Sequence, residues 1–281
     1  MKWMKSWGST LKLLLKLGPK QLQELPIDLS KDPHAEPNAW WGTFLVGEEQ
    51  SRFFKIGPIV VCLDRYNHEW RITIRLEGSK TPFRSFAAKT SNHITLKPVL
   101  PDRPLLSTLD QPFYIAADDR LMLYLSVPLW ISIEVGQPSI LLDEIKTNNL
   151  AETWSGRNTL EGELCYANRT QAFAQMDAQL AQEEAGTTQV IIPISIVNRS
   201  KNTLLIDALK IPLPLLSIYT DATNSLWTEQ LYFYQDETDR PLVQPSLQGP
   251  PKTLKEPRLL NGPRSVLKPT LRKLLIPFIR N

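Results

Sequence analysis

Hydrophobic and polar positions follow three rhythms along the chain. Near the start the rhythm is helical. At about 100° per residue, Trp3, Met4, Trp7, Leu11, Leu14 and Leu15 share an arc of about 120°. Lys2, Lys5, Lys12 and Lys16 fall within about 80° on the opposite side. This spacing predicts a basic amphipathic helix over 1–20, weakened at Gly8-Ser9 and ended by Gly18-Pro19. Residues 21–36 carry Pro26 and Pro33 and no period, which predicts a linker.

From residue 37 onward the period becomes two. Trp70, Ile72, Ile74 and Leu76 alternate with Glu69, Arg71, Thr73 and Arg75. Leu129, Ile131, Ile133 and Val135 line one face of the next clear run. Shorter strands are expected at 53–63 (broken at Gly57-Pro58), 93–97, 112–116, 120–127 and 139–143. More are expected at 160–167, 188–198, 203–211, 215–220 and 226–234. Pro193 interrupts the strongest run, Gln189 to Val197, and predicts an edge or a bulge, because proline has no N–H to give a ladder. Residues 171–185, rich in Ala, Gln and Glu, read as a short helix or an insertion. From 235 to 263 prolines recur and an extended tail is expected. Arg264, Lys268 and Arg272 then recur at i, i+4 and i+8 opposite Val266, Leu267, Leu271 and Leu274. Pro269 and Pro277 limit any helix there.

Short strands with Pro or Gly between them predict an all-β fold, mainly antiparallel, as one large or two packed β-sandwiches. The expected organisation is the helix 1–20, the linker 21–36, a first β half over 37–150, a second over 151–250, and a basic Pro-rich tail over 251–281.

Charge sharpens this division. The 281 residues have a net charge of only +3. Residues 1–20 hold five lysines and no acid, and 252–281 hold eight bases against Glu256. The stretch between holds 19 bases and 28 acids. An acidic body with two basic ends points to an anionic partner for the ends, or to the body itself. Lysines interrupt the N-terminal apolar run, so no secretion signal is expected, and no window reaches the length of a membrane span. Two cysteines, Cys62 and Cys165, read as thiols of a reduced cytosolic protein. On this reading the sequons at Asn168 and Asn198 are chance matches.

Chemistry-bearing motifs are sparse. His34, His68 and His93 have no His or Cys partner at metal-ligand spacing. Asp118-Asp119 lies between two strands and reads as a turn. There is no nucleophile elbow and no phosphate-cradling glycine loop. No catalytic, metal or cofactor residue is expected. Trp70, Trp130, Trp154 and Trp227 read as core or sheet-face residues, with a stacking platform for sugars as the alternative. Bases do not interleave with them, so specific nucleic-acid binding is not expected.

Several short segments carry a resemblance: Trp40-Trp41-Gly42-Thr43-Phe44, Pro98-Val99-Leu100-Pro101, and Leu125-Ser126-Val127-Pro128. Trp154-Ser155-Gly156, Gly162-Glu163-Leu164-Cys165-Tyr166 and Ile196-Val197-Asn198 complete the set. In these the chain resembles the domain-of-unknown-function family numbered 432, of archaea and bacteria. The resemblance covers roughly 40–240 and leaves both basic ends out. It implies a cytosolic β-rich domain and brings no activity.

Three functions stay open at this point. The first is a non-enzymatic accessory or scaffold protein in the cytoplasm, peripheral at the inner membrane, on an anionic membrane surface or a membrane protein. Its contacts would be the six apolar residues and four lysines of the helix, with Arg264, Lys268 and Arg272. The second is a sandwich that binds a sugar or another small ligand. The third is a hydrolase with a dispersed site.

Overall fold

The computed structural model describes residues 39–66, 69–76, 84–87, 92–156, 162–170, 172–174, 185–237, 242–246 and 248–265. The N-terminal helix and linker of the sequence reading, with the tail beyond 265, lie outside these residues.

Among the described residues the regular elements are twenty strands and one 3-10 turn at Leu213–Leu215. In chain order the first eight strands are β1 (Gly42–Leu45), β2 (Gln50–Ile56), β3 (Ile59–Tyr66), β4 (Glu69–Leu76), β5 (Arg84–Ala87), β6 (His93–Val99), β7 (Leu105–Ile115) and β8 (Arg120–Pro128). Next come β9 (Trp130–Val135), β10 (Ile140–Lys146), β11 (Ala151–Ser155), β12 (Glu163–Thr170), β13 (Ala172–Ala174) and β14 (Gln189–Asn198). The last are β15 (Leu204–Ile211), β16 (Ile218–Thr220), β17 (Leu226–Trp227), β18 (Leu231–Gln235), β19 (Leu242–Pro245) and β20 (Arg258–Asn261). The protein is all-β and mostly antiparallel; β7 with β12, and β14 with β17 and β18, are the parallel pairs among these strands.

Four sheets form two layered units. Sheet β1-β6-β9-β10 and sheet β2-β3-β4-β5 share one hydrophobic cluster, with Ile56, Val61, Trp70, Ile72, Ile94, Ile131 and Ile133 at its centre. Sheet β11-β12-β7-β15 shares a core with an eight-stranded sheet made of the path β13-β8-β14-β17-β16-β20 and of β18 on β14 and β19 on β18. Leu105, Leu125, Ile192, Ile194, Leu209 and Phe233 lie in the cluster between them. In each unit two sheets contribute apolar side chains, on alternate residues, to one core. Burying one such side chain stabilises by about 1.5–3 kcal/mol, so these faces set the pairing register.

The chain does not fill the units one after the other. β7 and β8 take their partners from β11 to β15, and β9 returns to pair with β6. The alternating run 129–135 therefore serves both cores. Leu129 and Trp130 belong to the second, and Ile131, Ile133 and Val135 to the first.

Two expectations are corrected here, and a third is met only in part. Pro193 is not at an edge: β14 is central, between β8 and the parallel strands β17 and β18. β14 meets β17 at Ile191 and β18 from Ile194 onward, so the missing N–H falls where one parallel partner hands over to the next. The region 171–185, expected as a short helix or an insertion, opens with a strand, Ala172–Ala174, on Leu123–Leu125, while 175–184 lie outside the described residues and Ala185 is helical. The stretch expected as an extended tail contains β19 and β20, paired to β18 and β16. The Asp118-Asp119 turn is present: Asp118 has φ +57° and Asp119 caps the N–H of Arg120 at 2.7 Å.

Candidate functional site

Three segments carry the chain between the units: Leu100–Pro104, Pro128–Trp130, and the stretch after Lys146. They converge on a seam built around Trp130 and Tyr166. The two rings meet edge to face, centroids 5.9 Å apart, and both are buried. Trp130 faces away from the core of its own sheet because its neighbour Ile131 faces into it. Lys146, opposite Trp130 in the β9–β10 register, places Nζ 4.8 Å from that ring and 5.6 Å from Tyr166. An ammonium over two ring faces is attracted by their quadrupoles.

Acids match the bases around these rings. Arg103 stacks 5.5 Å from the Tyr166 centroid and pairs with Glu152 at 2.7 Å. Tyr166 donates its hydroxyl to Asp102 at 2.9 Å. Burial, then the hydrogen bond to Asp102 and its charge, push the phenol up to about 12, so it stays protonated as a donor. Arg264 donates Nε to Leu100 O at 2.6 Å and both terminal nitrogens to Glu144, each at 3.0 Å. Its guanidinium also lies 5.6 Å from the Trp130 centroid. The seam thus holds bases against acids and against shielded rings. It is chemically suited to joining the units.

Of the expected membrane contacts, Arg264 alone lies among the described residues, and the body takes its guanidinium. Trp3, Met4, Trp7, Leu11, Leu14, Leu15, Lys2, Lys5, Lys12, Lys16, Lys268 and Arg272 lie outside them. Three other bases of the C-terminal segment, Lys252, Lys255 and Arg258, are exposed. Leu259 beside them is 60% exposed.

Elsewhere the polar groups serve the fold. Asn198 is fully buried and donates Nδ2 to Ile115 O, Ala116 O and Asn202 O, while its Oδ1 accepts from Ser200. Lys210, 3% exposed, pairs with Glu163 on the outer face of its sheet. Both thiols are free, and burial pushes Cys62 and Cys165 up, which makes them poor nucleophiles. Trp70, Trp130 and Trp227 are buried, whereas Trp154 is half exposed. Its indole lies against Gly162, where any Cβ would collide with it. Among the described residues, no three His, Cys, Asp or Glu side chains are grouped to hold a metal ion, and no helix is long and apolar enough to cross a membrane.

Sequence reasoning had singled out the Pro98–Pro101 segment, Leu125–Pro128 and Gly162–Tyr166 only as marks of resemblance. The fold brings all three to this seam or to the strands that frame it. Asp102, Arg103, Glu144, Lys146 and Glu152 were not foreseen, because their partners lie tens of residues away.

The architecture defines a class: an all-β, mostly antiparallel protein of two cores joined by three crossings. The model of a family described as a protein of unknown function (DUF432) matches residues 40–278. The chain belongs to this family. The match reaches well past the expected limit near 240, so most of the basic C-terminal segment is part of the family domain, while residues 1–39 precede it. No match was found among curated proteins or among solved structures.

Proposed function

We propose that this is a non-enzymatic accessory or scaffold protein that docks at the cytoplasmic face of the membrane through its basic ends. The observation that carries this reading is the division of residues 1–17 into an apolar arc with Trp3 and Trp7 and a lysine arc behind it. Six apolar side chains each contribute on the order of 1 kcal/mol or more on immersion, partly offset by ordering the segment. Each lysine adds about 1 kcal/mol at an anionic surface. The excess of acids over bases in residues 21–251 disfavours other orientations, because the body is repelled by the same surface. Exposed Lys252, Lys255 and Arg258, beside exposed Leu259, support a second contact from the C-terminal side.

Sedimentation with liposomes tests this. Full-length protein is expected to pellet with acidic phospholipid at low salt and to be partly released as salt rises. Deleting 1–20, or Trp7→Glu, should abolish most of the binding while circular dichroism stays β-type. Indifference to acidic liposomes, or loss of the fold on deletion, would count against the reading.

A second reading, a sandwich that binds a sugar, draws on Trp154. It is 50% exposed, pairs across strands with Leu164 at 38%, and offers a ring face for stacking. Saturable quenching of tryptophan fluorescence by an oligosaccharide, lost in Trp154→Ala, would favour it.

A further inference from the structure

The last described residues form a strap across the seam. β20 pairs with β16 in the second unit, and the next turn of chain is fastened to the first. Asn261 Nδ2 donates to Pro98 O at 3.4 Å, and Arg264 Nε to Leu100 O at 2.6 Å. The two terminal nitrogens of Arg264 grip the Glu144 carboxylate in parallel, at 3.0 Å each. Ser265 N–H then returns to Pro214 O of the second unit at 2.9 Å. One guanidinium therefore touches the first crossing at Leu100, the second at Trp130, and β10 three residues before the third.

Two features make this contact displaceable. The side chains of Arg264 and Glu144 keep 25% and 24% of their surface exposed, so an outside group can reach the pair. Arg264 is also the first base of the series Arg264, Lys268 and Arg272, in a segment with eight bases and one acid. A fork that holds a carboxylate by two parallel bonds fits two oxygens of a phosphate equally well. Glu144 and a lipid phosphate are thus competitors for one side chain.

We infer that the strap couples membrane docking to the seam: headgroup phosphate draws Arg264 away from Glu144, and the two units loosen against each other. The inference rests on the membrane reading above and adds a consequence to it. Linkage makes the coupling reciprocal, so whatever weakens the strap strengthens docking by the same factor.

Hydrogen exchange of the full chain, read by mass spectrometry, tests it. The probes are vesicles of phosphatidylglycerol with phosphatidylcholine, against phosphatidylcholine alone. In the wild type, acidic vesicles should speed exchange in 99–105 and 258–265, and neutral vesicles should not. Glu144→Gln, which keeps the shape and removes the charge, should show that faster exchange without vesicles and bind acidic vesicles roughly threefold more tightly. Arg264→Lys, which keeps the charge and loses the fork, should also exchange faster without vesicles. Binding by the wild type with exchange unchanged overturns the coupling and leaves the membrane reading standing. So does unaltered affinity in a folded Glu144→Gln. If neither wild type nor Glu144→Gln binds acidic vesicles, both the membrane reading and the coupling fall.

Discussion

At the residue scale, what a substitution does depends on which bonds a buried polar group makes, and Asn198 makes the most. Asn198 joins the Ala116–Asp119 turn to its own loop by three donated bonds. Asn198→Ala should cost about 2–4 kcal/mol in urea unfolding, because Ile115 O, Ala116 O and Asn202 O lose their donor, the first of them buried, and a void remains. Asn198→Asp should cost at least as much at pH 7, since a carboxylate would face three carbonyl oxygens, and recover partly as acid protonates it. Glu134 gives the opposite pH dependence. Burial pushes its carboxyl up, but hydrogen bonds from Lys97 and Ser139 outweigh burial and leave it below its ordinary value near 4.5. A depressed carboxyl stabilises the fold above the ordinary value and loses that contribution as pH falls through the folded one. The stability gap between wild type and Glu134→Gln, followed by thermal melting, should therefore shrink on acidification below about pH 4.5 and stay flat from there to neutrality. A gap that grows in acid would show that Lys97 and Ser139 do not control this group.

At the element scale, the face of a strand is written in its residues, and its partner is not. Ile133 is fully buried in the first core, so Ile133→Asp should abolish folding or lower Tm severely. Glu69–Leu76 was legible to the residue, because Trp70 and Ile72 are apolar on one side and Glu69 and Arg71 polar on the other. The break between β2 and β3 was legible at Gly57-Pro58, where Gly57 takes φ +55°, but not their pairing or their outer ends. Alternation could not tell that Leu129 and Ile131 face different cores, since period two gives a side and not a neighbour. Pro193 misled because proline in a central strand is tolerated only where the ladder is already broken, and that break comes from β17 and β18. β20 was hidden by prolines at 250, 251, 257 and 263, which suit an extended tail as well as a short strand between turns. The seam was least legible. Arg264 showed only its helical spacing with Lys268 and Arg272, while its partner Glu144 lies 120 positions earlier.

At the scale of the whole molecule, three crossings bind the units together in a way that no single cut separates. β7 lies between β12 and β15, and β8 between β13 and β14, yet both precede residue 129. A fragment spanning 151–265 would lose the strand that joins β12 to β15 and one flank of β14, exposing Ile192, Ile194 and Leu209. Its largest apolar faces would stay wet, and at about 25 cal/mol per Å² no remaining contact offsets that. The fragment should be unfolded or aggregated, with no cooperative melt by near-ultraviolet circular dichroism. A chain of 37–265 keeps every described pairing and should fold with a β-type spectrum. Stopping at 250 removes β20 and Arg264, and with them the strap that fastens Leu100 and Glu144. The two units should then keep their cores and lose their joint. Loss of β20 and of a bidentate, partly shielded ion pair costs on the order of 2 kcal/mol. For a chain of this size that lowers Tm by about 4–8 °C. The melt of 37–250 should also broaden or split, because the units would no longer unfold as one. A single sharp melt at the temperature of 37–265 would mean that Trp130, Tyr166, Lys146 and Arg103 hold the seam without Arg264.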